Sequence, residues 1–311
     1  MRFNGTGGSY NRGEASWEWG PDYQTAEANP GEGVFQVPHS TAFTKSTWKL
    51  CDQDYPTGQN YFNNQPIYGI NVRIGPINNL GAGRGTRPTH WLLDFGISAP
   101  RHGSDGVSGL TSGGFGEAVD IVFEDYVIPI VDEVAGQQKH YIPIYVPARG
   151  IPVYRLAQNT TSQSYRRWWD FLSKGDSVAQ TLASSFEILG GLNSSNHKSD
   201  TTLSLNGLAV QTWSSWIQVG RLNYRSKYLS YNVFNDSTIT AMDGQVQLGY
   251  GEPGEEKVIY QITQSKDQDS WGGTDARALP VSLPAGTAIS IRIQLGNTQT
   301  NTVGMFVNNY Y

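Results

Sequence analysis

"YIPIYVPARGIPVYRLAQNTTS", from Tyr141 to Ser162, alternates Ile, Val and Tyr as a half-buried strand does, yet it carries Pro143, Pro147 and Pro152. Proline cannot donate to a sheet ladder, so a strand accepts it only at an edge, at a bulge or in a turn. The chain contains a second version of the same stretch, "ALPVSLPAGTAISIRIQLGNTQT", beginning at Ala278. Pro143 falls on Pro280, Pro147 on Pro284 and Arg155 on Arg292, all at one spacing. Ile142, Ile144 and Val146 fall on Leu279, Val281 and Leu283.

Earlier segments pair in the same order. "VFQVPHSTAFTKSTW" lies over "TLSLNGLAVQTWSSW", which brings Phe35, Val37 and Trp48 onto Leu203, Leu205 and Trp216. "GINV" at Gly69 lies over "SYNV" at Ser230, and "LDFGI" at Leu93 over "VQLGY" at Val246. "GEAVDIV" near Glu117 lies near "GEEKVIY" at Glu255. Matching order with shared Pro, Gly and Trp landmarks reads as one unit used twice. The first copy is longer in its middle, at "GPINNLGAGRGTRPTH" and "APRHGSDGVSGLTSGG", which read as surface loops.

The repeat gives the prolines a place. Pro147-Ala148 and Pro284-Ala285 suit the middle of a β-turn, with Gly286 completing a type I turn, so each stretch reads as a hairpin. Arg149 stands where the second copy has that glycine. Pro143 and Pro280 then belong on an edge strand or at a bulge, nitrogen pointing away from the ladder. Pro152 has no counterpart in the second copy.

Composition agrees with an all-β chain. Of 311 residues, 36 are Gly, nine are Trp and seventeen are Tyr, and only 16% are charged. The expected architecture is two tandem jelly-roll-like β-sandwiches behind an extended N-terminal arm: residues 1–32 the arm, 33–175 the first sandwich, 176–311 the second. Each sandwich takes roughly eight short strands with turns every 8–12 residues. The one helical turn expected lies in "DSVAQTLASSF", Asp176 to Phe186. The arm carries Trp17, Trp19 and Tyr23, which need a surface to cover: the first sandwich or a neighbouring subunit.

Net charge is −5, and the basic clusters, Arg166-Arg167 and Arg84 with Arg87, are short, so nucleic acid is not an expected partner. No apolar run approaches the ~18 residues of a membrane helix, and the N-terminus has no apolar leader core. Without a leader, the sequons at Asn4, Asn159, Asn193 and Asn235 carry no weight. Cys51 is the single cysteine, so no intrachain disulfide forms.

Chemistry is sparse. The histidines are His39, His90, His102, His140 and His197, none beyond residue 197, so the repeated segments of the second copy hold none, and no G-x-S-x-G elbow occurs. "DQD" at Asp52 and at Asp267 offers oxygen ligands of the kind that hold calcium, but neither matches the EF-hand loop, and Asp-rich turns are usually solvated. Glu117 with Asp120, and Glu255 with Glu256, are the carboxylate pairs a glycosidase would need facing across a cleft. "GAGRG" at Gly81 lacks the Lys-Ser/Thr of a phosphate loop. No cofactor, metal or catalytic set is expected. Among aromatic groups, Trp168-Trp169, Trp213 with Trp216, and Trp271 are candidates to stack sugars. Trp48 and Trp216 recur in both copies and so read as packing residues. Trp271, in a glycine-rich loop of the second copy only, is the leading candidate glycan contact.

The two hairpin stretches, preceded by "LLDFGIS" and "VQLGYGEPGEEKVIYQI", resemble a β-sandwich unit of tailed-bacteriophage virion proteins. In that unit a D-x-G-I-G…E strand precedes a hydrophobic-P-x-x-I-P-A-G-x-x-I-x-x-R-x-Q hairpin. The resemblance covers both copies but not the arm, and the first copy departs from it at Arg149 and in its two long loops. It implies an accessory structural component of the virion on tail, collar or capsid, assembled in the host bacterial cytoplasm. Its partners would be copies of itself, other virion proteins and, as the alternative, a host surface glycan. It transfers no catalytic residue.

Overall fold

A computed structural model describes residues 34–36, 45, 48–50, 66–76, 90–98, 119–129, 140–147, 151–158, 164–171, 182–191, 199–235, 242–266 and 278–311. The arm with Trp17, Trp19 and Tyr23, the two glycine-rich loops, Glu117 and Trp271 lie outside these residues. So does the expected junction at 175/176. The chain divides into two compact units, Met1–Ile128 with Lys139–Ser185 and Phe186–Tyr311 with Pro129–Gln138. Among the described residues every regular element is a strand, and no helix is long and apolar enough to cross a membrane.

The first unit contains β1 (Val34–Gln36), β2 (Lys49–Leu50), β3 (Ile67–Pro76), β4 (His90–Ser98), β5 (Val119–Pro129), β6 (His140–Val146), β7 (Ile151–Gln158) and β8 (Ser164–Phe171). They form two antiparallel sheets, ordered β1-β8-β3-β6 and β2-β7-β4-β5. The second unit contains β9 (Phe186–Leu189), β10 (Thr202–Ser204), β11 (Ile217–Arg221), β12 (Ser226–Asn235), β13 (Met242–Tyr250), β14 (Lys257–Lys266), β15 (Leu279–Leu283), β16 (Ala288–Leu295) and β17 (Thr302–Tyr310). Its sheets run β10-β17-β12-β15 and β11-β16-β13-β14, with β9 added beside β17. Setting β9 aside, strand for strand the two orders are the same. First-eighth-third-sixth over second-seventh-fourth-fifth is the order of an eight-stranded jelly roll. The duplication read from sequence is a duplication of fold.

Period-two patterning builds each core. In the second unit Leu229, Tyr231 and Val233 of β12, Val246 and Leu248 of β13, Ile289, Ile291 and Ile293 of β16, and Val303, Met305 and Val307 of β17 are buried in one cluster. The alternate positions of β13 and β16, Gln245, Gln247, Ser290, Arg292 and Gln294, belong to the opposite face. In the first unit Leu93, Phe95, Val153, Leu156, Tyr126 and Val127 are buried, and Phe95 stacks on Phe123 at 5.5 Å.

The prolines lie where the ladder tolerates them. β6 and β15 each end their four-strand order. Both shift register against their neighbour: Tyr68 opposes Tyr145 and Ile70 opposes Ile142, while Ser226 opposes Leu283 and Tyr228 opposes Pro280. Pro143 is inside the first bulge, and Pro280 flanks the second. The outer side of β6 bonds instead to Ala183, whose N–H donates to the Pro143 carbonyl at 2.8 Å and whose carbonyl accepts from the Tyr145 N–H at 3.0 Å. Pro152 opposes Ile97 of β4 and lies one residue past the last described pair of β7 with β2, Leu50 and Val153.

Two expectations are corrected. Tyr141–Gln158 and its second version are not hairpins, since β6 pairs with β3 whereas β7 pairs with β2 and β4. In the second unit the Pro284-Ala285 turn carries the chain from one sheet of the sandwich to the other. Nor does Pro284 take the second turn position. Thr287 donates to the Pro284 carbonyl, through its N–H at 3.4 Å and its hydroxyl at 2.8 Å, so Pro284 is the first residue and Gly286 the third. Gly286 has φ of +85°, which a type II turn requires at that place. Most of the expected helical turn lies outside the described residues; its described end carries a bridge at Ala183 and then the start of β9.

Candidate functional site

The repeated tryptophan and arginine meet in each unit. Arg155 of β7 lies over the Trp48 ring at 4.6 Å, and Arg292 of β16 lies over the Trp216 ring at 4.4 Å. Each indole lies by a glycine; beneath Trp216 the glycine leaves room for the ring, whereas the side chain missing at Gly96 would first meet Val119, at 2.4 Å. A Cβ on Gly249 would come within 2.7 Å of the Trp216 ring, and one on Gly96 within 3.4 Å of the Trp48 ring. Each arginine also donates through Nε to the residue opposite it on the neighbouring strand: Arg155 to Asp94 Oδ2 at 2.6 Å, Arg292 to Gln247 Oε1 at 2.7 Å. A Trp–Gly–Arg clamp thus joins the second, fourth and seventh strands of both jelly rolls. Each cation–π contact of this kind contributes roughly 0.5–2 kcal/mol.

Around the clamp the two copies differ. In the first unit Asp94 is 1% exposed, and its charge is met on three sides. Lys45 Nζ lies 2.8 Å from Oδ2, Arg155 bonds the same oxygen, and the Asp125 N–H donates to Oδ1 at 2.8 Å. Lys45 also reaches Glu124 at 3.4 Å and Asp125 at 3.1 Å, and Arg155 Nη2 donates to Glu124 Oε1 at 3.0 Å. Burial alone pulls the Lys45 ammonium down; its bonds to Asp94 and Asp125 more than offset this and leave its pKa above the ordinary lysine value. Asp125 holds φ of +56°, an uncommon backbone for a residue other than glycine, and this brings its N–H onto Asp94.

The second unit replaces these charges with amides and an indole. Gln247 stands for Asp94 in the aligned "VQLGY" and "LDFGI" segments, and Trp213 stands for Lys45 at the spacing that relates Trp216 to Trp48. Arg292 lies 5.0 Å from the Trp213 centroid as well as over Trp216, so two indoles flank one guanidinium. Gln247 Nε2 donates to Gln261 Oε1, and Gln261 Nε2 donates to Gln245 Oε1 at 2.8 Å. The run Arg292, Gln247, Gln261, Gln245 crosses β16, β13 and β14 on the sheet's outward face.

Other candidates remain apart. Asp120 is exposed on β5, Glu255 is exposed, and Glu256 accepts the Gly254 N–H at 2.8 Å. His140 is buried and, among the described residues, has no hydrogen-bond partner at either ring nitrogen; it lies edge-on to Tyr126 at 6.2 Å. Among the described residues no three His, Cys, Asp or Glu side chains come together as metal ligands. Trp168 and Trp169 fall in β8, opposite Arg73 and Val72. Sequence reasoning found Trp48, Trp216, Arg155 and Arg292 because they repeat unchanged. It passed over Lys45, Asp94, Glu124, Gln247 and Gln261, although the aligned segments already set Asp94 on Gln247.

No protein-family model matches the chain, and no curated protein matches it. Solved structures similar to it include allantoicase from Saccharomyces cerevisiae, at 9% identity over 79% of this chain and 74% of that one, with a TM-score of 0.22. A tandem CBM22-1–CBM22-2 domain of Paenibacillus barcinonensis Xyn10C is similar at 9% identity over 88% and 97%, with a TM-score of 0.20. The infectious bursal disease virus VP2 subviral particle is similar at 9% identity over 89% and 70%, with a TM-score of 0.19. The fold rests on the strand orders, not on these distant likenesses.

Proposed function

We propose that the chain is a non-enzymatic structural subunit of a tailed-phage particle, a tail, collar or capsid component. It joins copies of itself and other virion proteins through its N-terminal segment, with Trp17, Trp19 and Tyr23, and through its sandwich surfaces. The observation that carries this reading is the clamp built twice on the same strands. In each jelly roll the aromatic and cationic groups most suited to chemistry brace three strands against one another. A subunit that transmits load through a particle needs stiff sheets, and the Trp–Gly–Arg contact stiffens the sheet that bears it. The sequence resemblance to virion β-sandwich units points the same way, and symmetric self-association is the ordinary state of such subunits.

The test is incorporation. Deleting residues 1–30 is expected to leave a folded protein that no longer enters the particle. Truncated chain recovered in particles at the full-length level would show that the segment is not the assembly element.

A further inference from the structure

The two clamps are each other's comparison. In the first unit the Arg155 fork is satisfied by carboxylates: Asp94 takes Nε and Glu124 takes Nη2 at 3.0 Å. In the second unit the corresponding arginine keeps only the Nε bond, to Gln247. Gln261 stands for Glu124 at the spacing that relates Arg292 to Arg155, and its amide turns to Gln247 and Gln245. Among the described residues, Nη1 and Nη2 of Arg292 meet no acceptor. The guanidinium is nonetheless fixed, with Trp213 and Trp216 against it and Nε tied to the sheet. A planar fork held in one orientation with its outer donors unused is preorganised for a bidentate carboxylate.

We infer that the outward face of the β11-β16-β13-β14 sheet is a binding site for an acidic saccharide, a hexuronate or sialate, whose carboxylate docks on Arg292. The groups touching the guanidinium are an amide and two indoles rather than further cations. Indoles pack on the C–H faces of a sugar ring, and amides bond to its hydroxyls. The exposed Gln261 and the terminal amide of Gln245 supply these at the end of the run. An acidic peptide would instead call for several cations spread along its length. The inference stands on this face alone and is independent of the assembly reading.

The test uses the full-length chain, titrated by calorimetry with trigalacturonate and with sialyllactose. The methyl ester of whichever saccharide binds serves as the neutral control. The expected result is binding of at least one acidic saccharide, weakened tenfold or more by esterification and by salt. The deciding variant is Gln261→Glu, which supplies Arg292 with the carboxylate that Glu124 gives Arg155. It is expected to abolish binding while leaving the melting temperature unchanged or raised, which separates a filled fork from an unfolded domain. Undiminished binding by Gln261→Glu, equal binding of the ester, or no binding of either saccharide would overturn the inference. So would binding of hexaglutamate with neither saccharide bound. None of these outcomes bears on whether the chain enters a particle.

Discussion

Asp94 and Gln247 occupy one place in two copies of one fold and set different electrostatic problems. A buried carboxylate is tolerable only when its charge is met, and Asp94 is met by Lys45, Arg155 and a backbone N–H. Breaking such a pair from one side typically costs about 3–5 kcal/mol, whereas Gln247 needs only hydrogen bonds. His140 poses the opposite case, an imidazole sealed from water with no acceptor for a second proton among the described residues. Burial lowers its pKa from 6.5 to about 3. Between these values the unfolded chain binds a proton that the folded one does not, so stability is full above pH 6.5 and falls as pH falls. The slope is about 1.4 kcal/mol per pH unit, or about 2 kcal/mol lost by pH 5. Urea unfolding of the wild type at pH 7 and pH 5 is expected to show this loss, and His140→Leu to remove that share of it. An equal pH dependence in the variant would mean the histidine is not the group responsible.

At the scale of elements, the clamp depends on a missing side chain. A methyl group on Gly249 would stand 2.7 Å from the Trp216 ring and 3.2 Å from the Lys257 carbonyl, so the indole would have to leave the sheet. Gly249→Ala is expected to cost about 1–3 kcal/mol, the usual range for overpacking, measured by urea unfolding. A cost within a few tenths of zero would show that Trp216 moves freely. Much at this scale was legible in the sequence. Period-two apolar residues placed the strands, and the repeated Pro, Trp and Arg aligned the copies. The turns were not, because turn chemistry is local: Pro-Ala-Gly says that the chain reverses, but not whether the flanking strands pair or part to opposite sheets. The clamp's polar partners were hidden for another reason. Asp94 and Arg155 are 61 residues apart, and the exchange of Asp for Gln between copies conceals that one position does one job.

For the whole molecule, the sequence order of matched segments foretold the architecture because a jelly roll's strand order is fixed by its connections. Copying the segments in order copies the topology, and among the described residues β9 is the one strand the second unit adds. On the proposed reading, the chain is one part of a symmetric assembly, and two jelly rolls would give it two surfaces for its partners. Where such a part resides is a matter of stoichiometry. The most direct measurement is quantitative mass spectrometry of purified particles after a high-salt wash, set against the major capsid protein. A structural subunit is expected at a fixed ratio that survives the wash and matches the particle's symmetry. Loss of the chain on washing, or its absence from particles, would contradict the assignment.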